Sequence, residues 1–185
     1  MTGMHTAVGA CLAALCLLPQ DAATAKPERY AGILTSGPLT QRPAPIDIGV
    51  DRVATEEIRG QLAEVYREGG PVALLEAIKK EKPAGYVKLQ NRERLVAGYA
   101  EEVARPDGGR RILLLCARQP GDWELESGQG RTEYLFRIVA LALDANGRGT
   151  GMLFHTARVS FDANGVTLER EQSGQPTRIL SIQKR

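Results

Sequence analysis

Residues 132–171 read TEYLFRIVALALDANGRGTGMLFHTARVSFDANGVTLERE, and this stretch decides the fold class. Three strand-like runs, 132–143, 150–161 and 166–171, are separated by two segments that contain Asp-Ala-Asn-Gly. Asn and Gly tolerate the positive φ angles of tight turns, so each segment predicts a hairpin. Strands joined by short loops pair as antiparallel neighbours. The stretch therefore predicts an antiparallel meander.

Strand signals continue on both sides of this stretch. Runs 95–105 and 110–118 flank Pro106-Asp107-Gly108-Gly109, a strong hairpin signal, and a last run, 178–182, follows a proline. Nearer the N-terminus, residues 30–36 and 46–53 also favour strands, the second through its alternation of apolar and polar side chains. We expect one sheet built from all these runs.

A helical region lies between the first two strands and the rest. Thr55 is a plausible N-cap, and an apolar stripe follows at helical spacing: Ile58, Leu62, Val65 and Tyr66. Gly69-Gly70 predicts the end of this helix, and Pro71 suits the first position of a second one that ends at Pro83. The expected fold is α+β: a curved antiparallel β-meander of about six to eight strands with an N-terminal helical pair packed on it.

The N-terminus has the features of an export signal. An apolar run at residues 7–18 is shorter than the roughly 20 residues of a membrane-spanning helix, and Ala23-Thr24-Ala25 resembles a signal-peptidase site. We predict a signal peptide at 1–25 and a single domain at 26–185, exported to the periplasm or secreted, with no transmembrane segment after cleavage. Val8-Gly9-Ala10-Cys11 matches a lipobox, but most of the apolar run follows the cysteine, so lipidation is not expected.

Charge and cysteine content limit the classes of partner. After removal of residues 1–25, the chain keeps 24 basic and 21 acidic side chains, and the bases are scattered. A dispersed excess of this size argues against a nucleic-acid track. Cys116 is then the remaining cysteine, so no internal disulfide is expected.

The candidate metal and catalytic residues favour structural roles. Asp144 and Asn146 begin a segment similar to a calcium loop, but Arg148 and His155 stand where two of the ligands belong. His155 is expected in the core, and Cys116 shares its strand face with Ile112 and Leu114. We therefore predict no catalytic site, no metal and no cofactor.

One long loop is the best candidate for recognition. Residues 119–131 hold the single tryptophan of the chain among several glycines, and long loops in compact domains are often functional. The hypothetical recognition patch consists of Trp123, Glu124, Arg131 and Tyr134. The alternative is that Trp123 closes one end of the sheet's core. Arg137 stands alone among apolar neighbours and could meet a ligand carboxylate or a nearby Glu.

Four stretches carry a resemblance to a known family. They are the helix start at 55–57, the run from Gly69 through 73–78 to Tyr86, the segment from Trp123 to Phe136, and the run from 143–149 to Arg178. On these residues the chain resembles a domain of unknown function from exported bacterial proteins, common in soil proteobacteria and acidobacteria. The chain departs from that pattern at Glu133 and Leu135. The resemblance implies export and a single domain, and brings no activity.

Three functions are consistent with the sequence. The first is a non-catalytic binding or interaction module of the cell envelope, which an exposed apolar patch would favour. The second is a protein that binds an apolar or carboxylate-bearing small ligand in a cavity between the sheet and the helices. An enzyme of unidentified type is the least favoured. The expected partner is accordingly an envelope protein or a small ligand.

Overall fold

The computed structural model of the chain describes residues 26–35, 42–90, 94–118, 134–171 and 175–185. These residues form one helical element and nine strands. The strands are β1 (Glu28–Leu34), β2 (Ala44–Val50), β3 (Gly85–Leu89), β4 (Arg94–Ala104), β5 (Arg110–Ala117), β6 (Phe136–Leu143), β7 (Arg148–Asp162), β8 (Gly165–Glu171) and β9 (Thr177–Lys184). Helix α1 (Glu56–Lys80) lies between β2 and β3.

Eight of the strands close into an antiparallel barrel. Their order is β1-β2-β3-β4-β5-β6-β7-β9, and β9 pairs back with β1, while β8 pairs with β7 outside the ring. The expected open meander is therefore wrong. Pairing between consecutive strands follows from short turns, whereas closure joins the first strand to the last. No local turn signal reports that contact.

The barrel interior is packed with side chains, as is typical of an eight-stranded barrel. The inward-facing cluster includes Tyr30, Leu34, Ile46, Ile48, Val87, Ile112, Leu114, Val139, Leu141, Leu153, Ile179 and Ile182. Each of these side chains is at most 1% exposed. Each fully buried aliphatic side chain contributes about 1.5–3 kcal/mol of transfer free energy, so this cluster stabilises the closed ring.

A second apolar cluster lies outside the ring. Strand β7 is 15 residues long. Its first half belongs to the barrel, where Leu153 faces the interior, but Ala157, Val159 and Phe161 join an outer cluster. The side chains of β7 pass from the inner to the outer cluster at a register shift in the β6–β7 pairing, between Phe136 and Ile138 of β6. The outer cluster packs the second half of β7 against α1 and the outer face of β4, β5 and β6.

Helix α1 covers this outer cluster through Leu62, Leu74, Leu75 and Ile78. The predicted cap is confirmed, since Thr55 Oγ1 accepts a hydrogen bond from the Ile58 amide at 3.3 Å. Gly70 breaks the helical backbone at the predicted place, with φ 64° and ψ −158°. The expectation of a helical pair on an open sheet is nevertheless wrong, because one helical element lies against the outside of a closed barrel.

Candidate functional site

The structure places two of the five predicted recognition residues. Trp123, Glu124 and Arg131 lie outside the described residues. Tyr134 is 5% exposed, and its carbonyl oxygen accepts a hydrogen bond from Arg118 Nη1 at 3.2 Å. A buried Tyr134 offers little surface to a partner.

Arg137 lies on the inner side of its strand. It shares this parity with Val139 and Leu141 and pairs in register with Cys116 of β5. The Cys116 side chain is buried, and burial raises the pKa of its thiol to about 12 although the Arg137 charge acts in the opposite direction. Cys116 is thus a core residue with little thiolate character.

His155 has the core position that the sequence predicts. The side chain is 6% exposed, and Nε2 lies 2.7 Å from Thr177 Oγ1 of β9. Its expected apolar face is divided between the two clusters, since Leu153 packs inside the barrel and Val159 outside it. The irregular register of β7 separates side chains that simple alternation would group together.

Turn chemistry explains both Asp-Ala-Asn-Gly segments. Asp144 Oδ1 accepts hydrogen bonds from the amides of Asn146 and Arg148, at 2.8 and 2.9 Å. Asp162 Oδ1 accepts one from the Asn164 amide at 2.7 Å. Within the described residues, no group of three or more His, Cys, Asp or Glu side chains could hold a metal ion.

A polar network crosses one end of the barrel, here called the Glu28 end. Arg110 donates to the Glu28 carboxylate at 3.0 Å, to the Tyr30 hydroxyl at 2.8 Å and to Glu102 at 3.1 Å. Lys184 and the Tyr30 hydroxyl also donate to Glu28. Burial raises the pKa of Tyr30, and its hydrogen bond to Glu28 acts in the same direction. The mutual pairing of these groups favours a structural role at this end.

A buried carboxylate holds the β7–β8 turn against β4. Glu101 is 7% exposed and accepts hydrogen bonds from the Tyr99 hydroxyl at 2.7 Å and the Val166 amide at 3.2 Å. Burial raises the pKa of Glu101, although both hydrogen bonds lower it. The Tyr99 ring also packs edge-on against Phe161 at 5.2 Å. These contacts attach the β7–β8 ribbon to the barrel wall.

An exposed row of apolar side chains crosses four adjacent strands of the barrel. This apolar row consists of Pro45 on β2, Ile33 on β1, Leu180 on β9 and Met152 on β7. Ile33 pairs directly with Pro45 and with Leu180, and Met152 lies diagonally beyond Leu180. Ile33, Leu180 and Met152 are 46%, 41% and 42% exposed. Exposed apolar side chains that adjoin one another are typical of interaction surfaces.

The sequence contained a signal for this row that the turn-based interpretation did not use. Ile33-Leu34 and Ile179-Leu180 are apolar pairs inside strands. Successive side chains in a strand point to opposite faces, so such pairs place apolar groups both inside and outside the barrel. The structure buries Leu34 and Ile179 and exposes their neighbours.

A second surface feature is a groove of about 290 Å³ between the end of α1 and the sheet. Ile78 and Pro83 line it on one side, and Val96, Gly98 and Ala117 on the other, with Lys79 and Glu81 also in its wall. Arg137 is not among these residues. The groove is mainly apolar and open to solvent, so it has the chemistry of a shallow small-molecule site.

No described helix combines the length and the apolar character needed to cross a bilayer. No family model, curated protein or solved structure matches the chain.

Proposed function

We propose that the chain is a non-catalytic binding module of the bacterial cell envelope, exported to the periplasm or secreted, which binds its partner through the apolar row. The row is the observation that carries the proposal. Exposure of Ile33, Leu180 and Met152 costs hydration free energy, and contact with a partner would recover part of it.

The packed barrel interior supports a partner at the surface over a ligand inside the ring. Inward-facing side chains from all eight ring strands fill the space that a ligand-binding barrel would leave open. Parts of the outer faces of β4, β5 and β6 are covered by α1 and the β7–β8 ribbon. The row lies on the part of the wall formed by β2, β1, β9 and the first half of β7.

Site-specific photocrosslinking in a producing bacterium tests the proposal. A photoreactive amino acid at Leu180 should form an adduct, because a bound partner covers this position. The matched control is Val103, which is 49% exposed on β4. Equal crosslinking at the two positions would reject the row as a binding surface.

The groove supports a second candidate function, the binding of a small, mainly apolar ligand between helix and sheet. Its volume of about 290 Å³ is close to the lower limit for small-molecule pockets. Native mass spectrometry of protein purified from an envelope fraction should then show an added mass of a few hundred daltons. Ala117→Phe would fill the groove and remove that mass. A bare protein in both cases would exclude this candidate.

A further inference from the structure

The apolar row consists of three aliphatic side chains and the thioether of Met152. Its four side chains are Pro45, Ile33, Leu180 and Met152, without an aromatic group among them. Neighbouring strands are about 4.8 Å apart, so a row across four strands extends about 14 Å along the barrel wall. Stable protein interfaces bury about 800 Å² on each partner and are anchored by aromatic side chains and Arg. Four partly exposed apolar side chains fall well short of that.

Two arginines, Arg178 and Arg148, lie on the strands of the row, and the Asp144 carboxylate beside Arg148 accepts a hydrogen bond from the Arg148 amide at 2.9 Å. Arg178 lies two residues before Leu180 on the same face and pairs in register with Met152. Arg148 shares the outward parity of Met152 on β7. Asp47 is the acid on the neighbouring part of β2, and it is paired with Arg185 at 3.0 Å. Within the described part of the chain, neither Arg178 nor Arg148 forms an ion pair, so both can meet an external anion.

Aliphatic side chains flanked by such arginines complement the surface of an anionic bilayer. Apolar groups enter the boundary between headgroups and acyl chains, and basic groups remain with the lipid phosphates. The small apolar area predicts reversible, peripheral binding. We infer that the partner of the apolar row is an anionic phospholipid surface, with Ile33, Leu180 and Met152 in the headgroup boundary and Arg178 and Arg148 on lipid phosphates; this inference rests on the proposed function.

Met152 provides a probe inside the row. It is the one methionine beyond residue 4, and it is 42% exposed. Its oxidation by hydrogen peroxide can be followed in the full chain by peptide mass spectrometry, whatever the state of the N-terminus. We expect vesicles containing one third phosphatidylglycerol in phosphatidylcholine to slow Met152 oxidation by about threefold or more. Pure phosphatidylcholine vesicles should protect it less, and about 0.5 M NaCl should weaken the protection.

Variants distinguish lipid binding through the apolar row from nonspecific adhesion of the protein to vesicles. Ile33→Thr with Leu180→Thr should abolish the protection of Met152, and Arg178→Gln should reduce it on anionic vesicles. Val103→Thr removes an equally exposed aliphatic side chain from β4 and should leave the protection unchanged. Circular dichroism of each variant verifies that the fold is retained. If the double variant is not folded, Arg178→Gln compared with Val103→Thr decides the same question.

The possible results distinguish this inference from the proposed function. Unchanged Met152 oxidation on anionic vesicles, or protection equal in the Thr variants and the parent, overturns the lipid assignment. If a crosslinker at Leu180 nevertheless captures a protein, the binding role of the row stands and its partner is a protein. If there is neither protection nor crosslinking, both fail. Protection that depends on the row and on anionic lipid supports both.

Discussion

Glu28 shows how single side chains make this barrel sensitive to pH. Burial by itself would raise its pKa, but hydrogen bonds from Lys184, Tyr30 and Arg110 lower it from 4.5 to about 2. A carboxyl with a lowered folded-state pKa stabilises the fold above its unfolded pKa. That stabilisation is lost as the pH falls from 4.5 through 2. We expect Glu28→Gln to lower the free energy of unfolding by about 2 kcal/mol near pH 7, less than the full pKa change implies because the side chain remains 16% exposed.

Urea unfolding of parent and variant near pH 7 and near pH 2.5 measures this effect. The difference between them should shrink at the lower pH, where the parent has lost most of the contribution of Glu28. Glu68→Gln is the control, since the Glu68 side chain is 68% exposed and should change stability by under about 0.5 kcal/mol. A difference for Glu28→Gln that is equal at both pH values would contradict the prediction.

The stability contribution of Glu101 depends on pH in the opposite direction to that of Glu28. Burial raises its pKa, so its contribution to stability is fully present below the unfolded pKa and decreases as the pH rises through the folded value. Glu101→Gln keeps an oxygen for the Tyr99 and Val166 donors and removes the charge. We expect the variant to gain on the order of 1 kcal/mol over the parent as the pH rises above the unfolded pKa of about 4.5. Thermal unfolding over a pH series measures the gain, and parallel curves for the two proteins would refute it.

At the scale of the element, the β7–β8 ribbon depends on a close approach at its turn. Gly165 has φ 113°, and a Cβ there would lie 2.0 Å from Glu101 Oε2. Gly108 also has a positive φ, 77°, but a Cβ there would meet nothing within 4 Å. We expect Gly108→Ala to cost about 1 kcal/mol and Gly165→Ala about 3 kcal/mol or more in chemical unfolding. Equal costs would show that Glu101 does not hold the ribbon.

Local signals predicted the elements better than their arrangement. The cap at Thr55, the helix break at Gly70 and the turns at Asp144 and Asp162 are confirmed, because each depends on neighbouring residues. Barrel closure was not predicted, since β1 and β9 pair although they lie near opposite ends of the sequence. Strand β7 was predicted as one alternating strand, and its irregular register moves its second half outside the ring.

The same distinction applies to the candidate site. The buried positions of His155 and Cys116 follow from strand parity and were predicted. The apolar row depends on the register of four strands that are distant in sequence, so it becomes visible only when the barrel is closed. Tyr134 has the opposite outcome, because a residue selected for recognition is buried in the structure. Strand parity thus predicted the burial of His155 and Cys116, but the exposure of residues whose neighbours come from distant strands was not predicted.

At the scale of the whole molecule, Cys116 reports whether the barrel is closed. The thiol lies in the interior cluster, 1% exposed, so a reagent reaches it only when the wall opens. Burial also raises its pKa from 9.0 to about 12, which lowers the thiolate fraction near pH 8 about a thousandfold. In native buffer we therefore expect a maleimide to modify Cys116 more slowly than in concentrated urea, by about a hundredfold or more. Peptide mass spectrometry distinguishes Cys116 from Cys11 and Cys16.

Because closure pairs β1 with β9, modification of Cys116 should accelerate over the same urea range in which circular dichroism reports loss of the strands. Rapid modification in native buffer would mean that the ring opens without global unfolding, and the interior would then be accessible to a ligand after all.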